Sequence, residues 1–96
     1  MAVDFTSIRN NNERAVYQAV VDMAPGFPGI ADNEELLADV ACVALNRLQP
    51  RYIRHEVDFA FYLSERERTE SERQVAESVE YAFGFVQARA AMRARR

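Results

Sequence analysis

Three arginines, one tyrosine and the chain's only histidine fall within nine residues: Arg47, Arg51, Tyr52, Arg54 and His55. They follow an apolar run and straddle Pro50. Arginine pairs bidentately with phosphate or with the O6/N7 edge of guanine. A tyrosine ring offers a stacking face to a base. Asn46, just before the first arginine, can donate or accept a hydrogen bond at the same place. The residue types therefore suit a flat, anionic ligand. A second reading stays open: Arg47 and Arg54 neutralise nearby glutamates or a helix C-terminus, and Tyr52 packs in a core or an interface.

Catalysis has little support. One histidine and one cysteine stand apart, and no GxSxG or HExxH spacing occurs. His55 is read as a surface or ligand-adjacent residue rather than a general base. The carboxylates fall at helix starts and on solvated faces. A lone cysteine, Cys42, can build neither an internal disulfide nor a cysteine-based metal site. Its place in an apolar run predicts a packed thiol. No cofactor is expected.

Ninety-six residues, 49% of them hydrophobic, predict a single domain over 1–96. A chain this size buries only about two-thirds of its unfolded surface, so a homodimer is the natural way to cover more. With 15 acidic and 12 basic residues the net charge is −3, which argues against a protein that coats nucleic acid. Every basic residue is arginine. No hydrophobic signal core and no run of about 18 apolar residues is present, so a soluble cytoplasmic protein is expected.

The elements that must position the arginine corner follow from spacing. Asn10 stands three before Glu13, a capping-box-like spacing, and Val16, Ala19, Val20 and Met23 share one helical face. This predicts a helix over about 11–23, ended by Pro25, Gly26, Pro28 and Gly29. Asp32 or Asn33 caps a second helix, with Glu34 and Glu35 in its first turn. Its stripe is Leu36, Leu37, Val40, Ala41, Ala44, Leu45 and Leu48, wide enough to make it central. Residues 57–63 alternate apolar and polar, the pattern of a half-buried strand paired with its copy in a second subunit or with residues 52–54. Ser64 to Glu67 reads as a capping box opening a long helix to about Arg93. Val75, Val79, Ala82, Phe83, Val86 and Ala90 form its stripe, with Tyr81 and Phe85 on a flank. Gly84 inside it costs about 1 kcal/mol relative to alanine and suggests close approach of another helix. The fold class is thus mostly α, a small helical domain with one short strand paired across a homodimer.

Residues 41–53, ACVALNRLQPRYI, resemble the signature of the late competence protein ComFB family, an apolar helix reading A-L-N-x-L-P-P-R-Y-V. Ala44, Leu45, Asn46, Leu48, Pro50, Arg51 and Tyr52 match, with Ile53 for valine. The spacing Asn10-x-x-Glu13-x-x-Val16 is similar to the family's first helix. The resemblance implies a small α-rich homodimer that binds a cyclic dinucleotide, cyclic di-GMP or cyclic di-AMP, as a receptor rather than an enzyme. It implies a part in competence, motility or cell size through a downstream regulatory protein. The expected ligand contacts are Asn46, Arg47, Arg51, Tyr52, Arg54 and His55, and arginine's fit to guanine favours cyclic di-GMP. The rival expectation is a protein–protein adaptor with no small ligand. Two departures stand out. Gln49 replaces the first proline, predicting a less rigid turn. Gly29-Ile30-Ala31-Asp32 stands where some members carry zinc-binding cysteines, so no metal is expected and the prolines of 25–32 must limit that loop.

Overall fold

A computed structural model describes residues 2–55, 57 and 63–94. Two two-residue strands and four helices follow one another among them: β1 (Arg9–Asn10), α1 (Asn12–Met23), α2 (Pro28–Ala31), α3 (Glu34–Arg47), β2 (Tyr52–Ile53) and α4 (Glu65–Ala94). The mostly helical fold is as expected. Of the strand expected over 57–63, only Val57 and Leu63 fall within the described residues, so that expectation lies outside them.

The core is one cluster shared by α1, α3 and α4. Val16 and Val20, then Val40, Ala41 and Ala44, then Val75, Val79, Ala82, Phe83 and Val86 are buried in it. These are the residues the 3.6-residue spacing selects, because one stripe per helix must leave water. The linker between α1 and α3 is a turn of 3₁₀ helix (Ala24–Gly26) and the single turn of α2. Apolar contacts as well as prolines hold it. Ile30 is 2% exposed, and the Phe27 ring stacks on Phe83 at 4.4 Å between centroids, 7° from parallel.

Side chains cap two of the long helices. Asn33 Oδ1 accepts from the Leu36 backbone N–H at 3.1 Å, and Ser64 Oγ accepts from Glu67 N–H at 3.1 Å. Thr69, a candidate break point, instead donates its hydroxyl to the Glu65 carbonyl at 3.0 Å, and α4 runs through without interruption. On its solvated side Arg73 bridges Glu70 and Glu77, the latter at 2.6 Å. The hydrogen bond from Arg73 holds the Glu70 carboxyl below its ordinary pKa. Replacing Ser64 by alanine frees one first-turn N–H and should lower stability by about 1 kcal/mol, read as a lower urea midpoint at unchanged slope.

Three expectations are modified. Asn11, directly before α1, makes no side-chain cap bond; Asn10 Oδ1 accepts from the N–H of Asn12, the first residue of the helix, and not from Glu13 as a capping box would have it, and it carries a second bond described below. Cys42 is exposed, not packed, because the core line of α3 passes through Val40, Ala41 and Ala44 and leaves Cys42 a quarter-turn outside. Among the described residues no helix comes close to Gly84: a Cβ there would meet nothing within 4 Å. Among the described residues no helix is long and apolar enough to cross a membrane.

Candidate functional site

The chain leaves α3 at Leu48, whose backbone is extended (φ −100°, ψ 141°), and Pro50 disfavours helical geometry at the next residue, Gln49. Three consecutive asparagines then hold the corner. Asn10 Oδ1 accepts from the backbone N–H of both Asn12 and Arg51, each at 3.1 Å. Asn12, 6% exposed, donates its side-chain amide to the Gln49 carbonyl at 2.9 Å. Asn11 N–H donates to the Arg51 carbonyl at 2.7 Å. The antiparallel ladder continues the contact, with Arg9 opposite Ile53 and Asn10 opposite Tyr52. The turn that lacks the first proline of the family pattern is thus fixed by hydrogen bonds from the start of α1. A polar NNN run reads as a helix cap in sequence. Its role as a clamp depends on residues about 40 positions away, which no local pattern reveals.

The expected site residues lie around this corner but face different ways. Arg47 crosses to α4, its guanidinium carbon 3.7 Å from the centroid of the Tyr81 ring. Stacking on an aromatic face leaves the in-plane N–H groups of an arginine available to an anion. Among the described residues no carboxylate lies within ion-pair distance of Arg47, so the glutamate-pairing role considered for it is not filled, whereas its place in the last turn of α3 does suit the helix dipole. Asn46 points to the opposite side of α3, where its amide donates to Cys42 Sγ at 3.7 Å. Tyr52 is 69% exposed and is no core residue. Arg51 and His55 are exposed on the same segment. Arg54 Nε donates to Ser7 Oγ at 3.3 Å, beneath the N-terminal arm.

Two recesses flank α3. On the α4 side, a polar cleft of about 290 Å³ is lined by Arg47, Leu48, Gln49, Gln74, Glu77 and Ser78. On the α1 side, a groove of about 640 Å³ is lined by uncharged residues, among them Tyr17, Val21, Leu37, Cys42 and Leu45. Sequence reading missed Gln74, Ser78 and Tyr81 as neighbours of the arginine corner. Tyr81 sits on an apolar stripe, and only the reach of Arg47 from α3 shows its use. Among the described residues no group of three or more histidine, cysteine or carboxylate side chains is placed to hold a metal ion.

The family model for the late competence development protein ComFB matches residues 9–90, from the first residue of β1 into the last turns of α4. The chain belongs to the ComFB family. The match spans both the asparagine clamp and the Arg47–Tyr81 contact, so both lie within the ComFB unit. Membership associates the chain with regulation of late competence. No curated protein matches it.

Proposed function

We propose that this ComFB-family chain is a cytosolic receptor for a cyclic dinucleotide, cyclic di-GMP before cyclic di-AMP, acting as a regulatory homodimer and not as an enzyme. The observation that carries the reading is Arg47: a guanidinium with no carboxylate partner among the described residues, laid on a half-exposed tyrosine at the mouth of a polar cleft. Arginine supplies charge for a phosphate and a fork for a guanine edge. Tyr81 and Tyr52 supply exposed ring surface for a purine, and Gln74 and Ser78 line the cleft with hydrogen-bonding groups. At about 290 Å³ the cleft stands at the lower end of small-molecule sites, which run from roughly 300 to 1,000 Å³. One copy suits one half of a two-fold symmetric ligand, and two copies suit the whole. Arg51, Arg54, Asn46 and His55 stand around the corner as further contacts.

Titration calorimetry with each nucleotide tests this. Wild type should release heat with cyclic di-GMP. Arg47→Ala and Arg51→Ala should each weaken binding by about 10- to 100-fold, matching the loss of one charge-assisted pair. Arg47→Lys should recover only part, because a lysine neither stacks nor forks. Incubated nucleotide should return intact on chromatography. Absence of heat with both nucleotides removes the receptor reading. One observation favours the rival adaptor: the uncharged α1–α3 groove, where Val21 is 65% exposed, is suited to a protein partner.

A further inference from the structure

The C-terminal half of α4 carries two apolar faces. One is the core stripe of Val75, Val79, Ala82, Phe83 and Val86. The other is Tyr81, Gly84, Phe85, Ala88 and Met92, spaced i, i+3, i+4, i+7 and i+11, every one of them exposed. A helix apolar on two faces has neighbours on two sides, and the described residues of the monomer cover only one. Gly84 sharpens the point. A mid-helix glycine costs about 1 kcal/mol relative to alanine, yet among the described residues nothing comes near enough to need it.

We propose that the second neighbour is α4 of another copy of this chain, crossing antiparallel about a two-fold axis beside Gly84 and Phe85. This rests on the homodimer in the function proposed above and names the surface that forms it. Shape commits the face to a second copy. Reversed on itself about that axis, the stripe sets Tyr81 against the partner's Ala88, bulky against small, at both ends of the contact. In the same register Gly84 lies opposite the partner's Phe85, so at the axis too a ring meets a residue without a side chain and the backbones can close. Charge sets the direction. Acidic residues outnumber basic ones over 65–80 of α4, whereas Arg89 and Arg93 hold its end. An antiparallel crossing lays each end over its opposite, and a parallel one would stack like on like. The edges fit as well. Arg47 lies over Tyr81, and Arg89 lies 5.5 Å from the Phe85 centroid while pairing with Asp39 at 3.3 Å, so cations border an uncharged centre. Tyr81 then stands at both the seam and the cleft, and the two Arg47 clefts lie beside one axis.

Sedimentation equilibrium tests the seam. Wild type should be a dimer at micromolar concentration. Phe85→Glu, on an exposed site, should raise the dimer dissociation constant by at least about 30-fold, which corresponds to roughly 2 kcal/mol, with unchanged circular dichroism. Val21→Glu, in the α1–α3 groove, should stay dimeric. In a Cys42→Ala background, Gly84→Cys should be joined to its copy by a short bis-maleimide, and Arg66→Cys should not. A monomeric wild type overturns the proposal, as does a dimer that survives Phe85→Glu or dissociates through Val21→Glu. Should Phe85→Glu fail to fold, the cross-link decides: no Gly84→Cys product overturns the seam. A dimer joined at Gly84 that gives no heat with nucleotide removes the receptor reading and leaves the seam standing.

Discussion

Phe83→Ala should destabilise the chain by about 3–5 kcal/mol, the largest single effect expected here. The ring is fully buried and sits where α4 meets the inter-helix linker. Its removal opens a cavity beside Val79, Val86 and Ile30, all of which are themselves 2% exposed or less and held by their own helices. It also strips the linker of its stacking partner, since Phe27 lies flat on Phe83 at 4.4 Å. A domain of this size has roughly 5–15 kcal/mol in total, so the variant should unfold at far lower urea and lose much of its folded population on mild heating. Phe27→Ala should cost less, because that ring is only partly buried. The two changes together should cost less than the sum of the parts by about 1 kcal/mol, the worth of the stacked pair beyond its area. A near-zero coupling would mean that the linker is held by Ile30 alone.

Much of this architecture is legible in the residue pattern, for a simple reason. Helices that bury one stripe must write that stripe into the sequence, and Val16/Val20, Val40/Ala44 and Val79/Phe83/Val86 do so. Caps are equally local: Asn33 and Ser64 each bond an N–H three residues on. What stays illegible depends on which helix meets which. Cys42 and Ala41 are neighbours of similar polarity, and only the packing direction of α3 separates the exposed one from the buried one. The arginine corner shows the same division. Its residue types announce an anion site, but the side chains leave it in three directions, and Arg47 finds its ring on a helix over 30 residues away. Asn10 and Asn12 carry every sign of a helix start, and their bonds to Arg51 and Gln49 appear only once the chain has closed on itself.

That closure makes Asn12 the residue through which the start of the chain governs the corner. Asn12→Ala should lower stability by about 2 kcal/mol. The substitution empties a polar site at a 6% exposed position and breaks its part-buried bond to the Gln49 carbonyl, a loss within the range of about 1–3 kcal/mol. Asn10→Ala loses two acceptor bonds, but its partners include an exposed segment where water can take over, so about 1 kcal/mol is expected. Urea denaturation of both variants at one pH and salt concentration checks the order. The functional effect should follow the same order. Neither asparagine is assigned a ligand contact, yet Gln49 and Leu48 line the cleft and Arg51 directly precedes β2, so a slack turn lets the arginines drift relative to α4. Under the receptor reading, nucleotide affinity in Asn12→Ala should fall several-fold in conditions where the protein is still fully folded. A variant that loses stability but binds as tightly as wild type would assign the clamp to folding alone. The combination of Asn12→Ala with Arg47→Ala separates the remaining possibilities. If Asn12 acts by holding Arg47 in place, the second change should add little to the first, because the group being positioned is already gone.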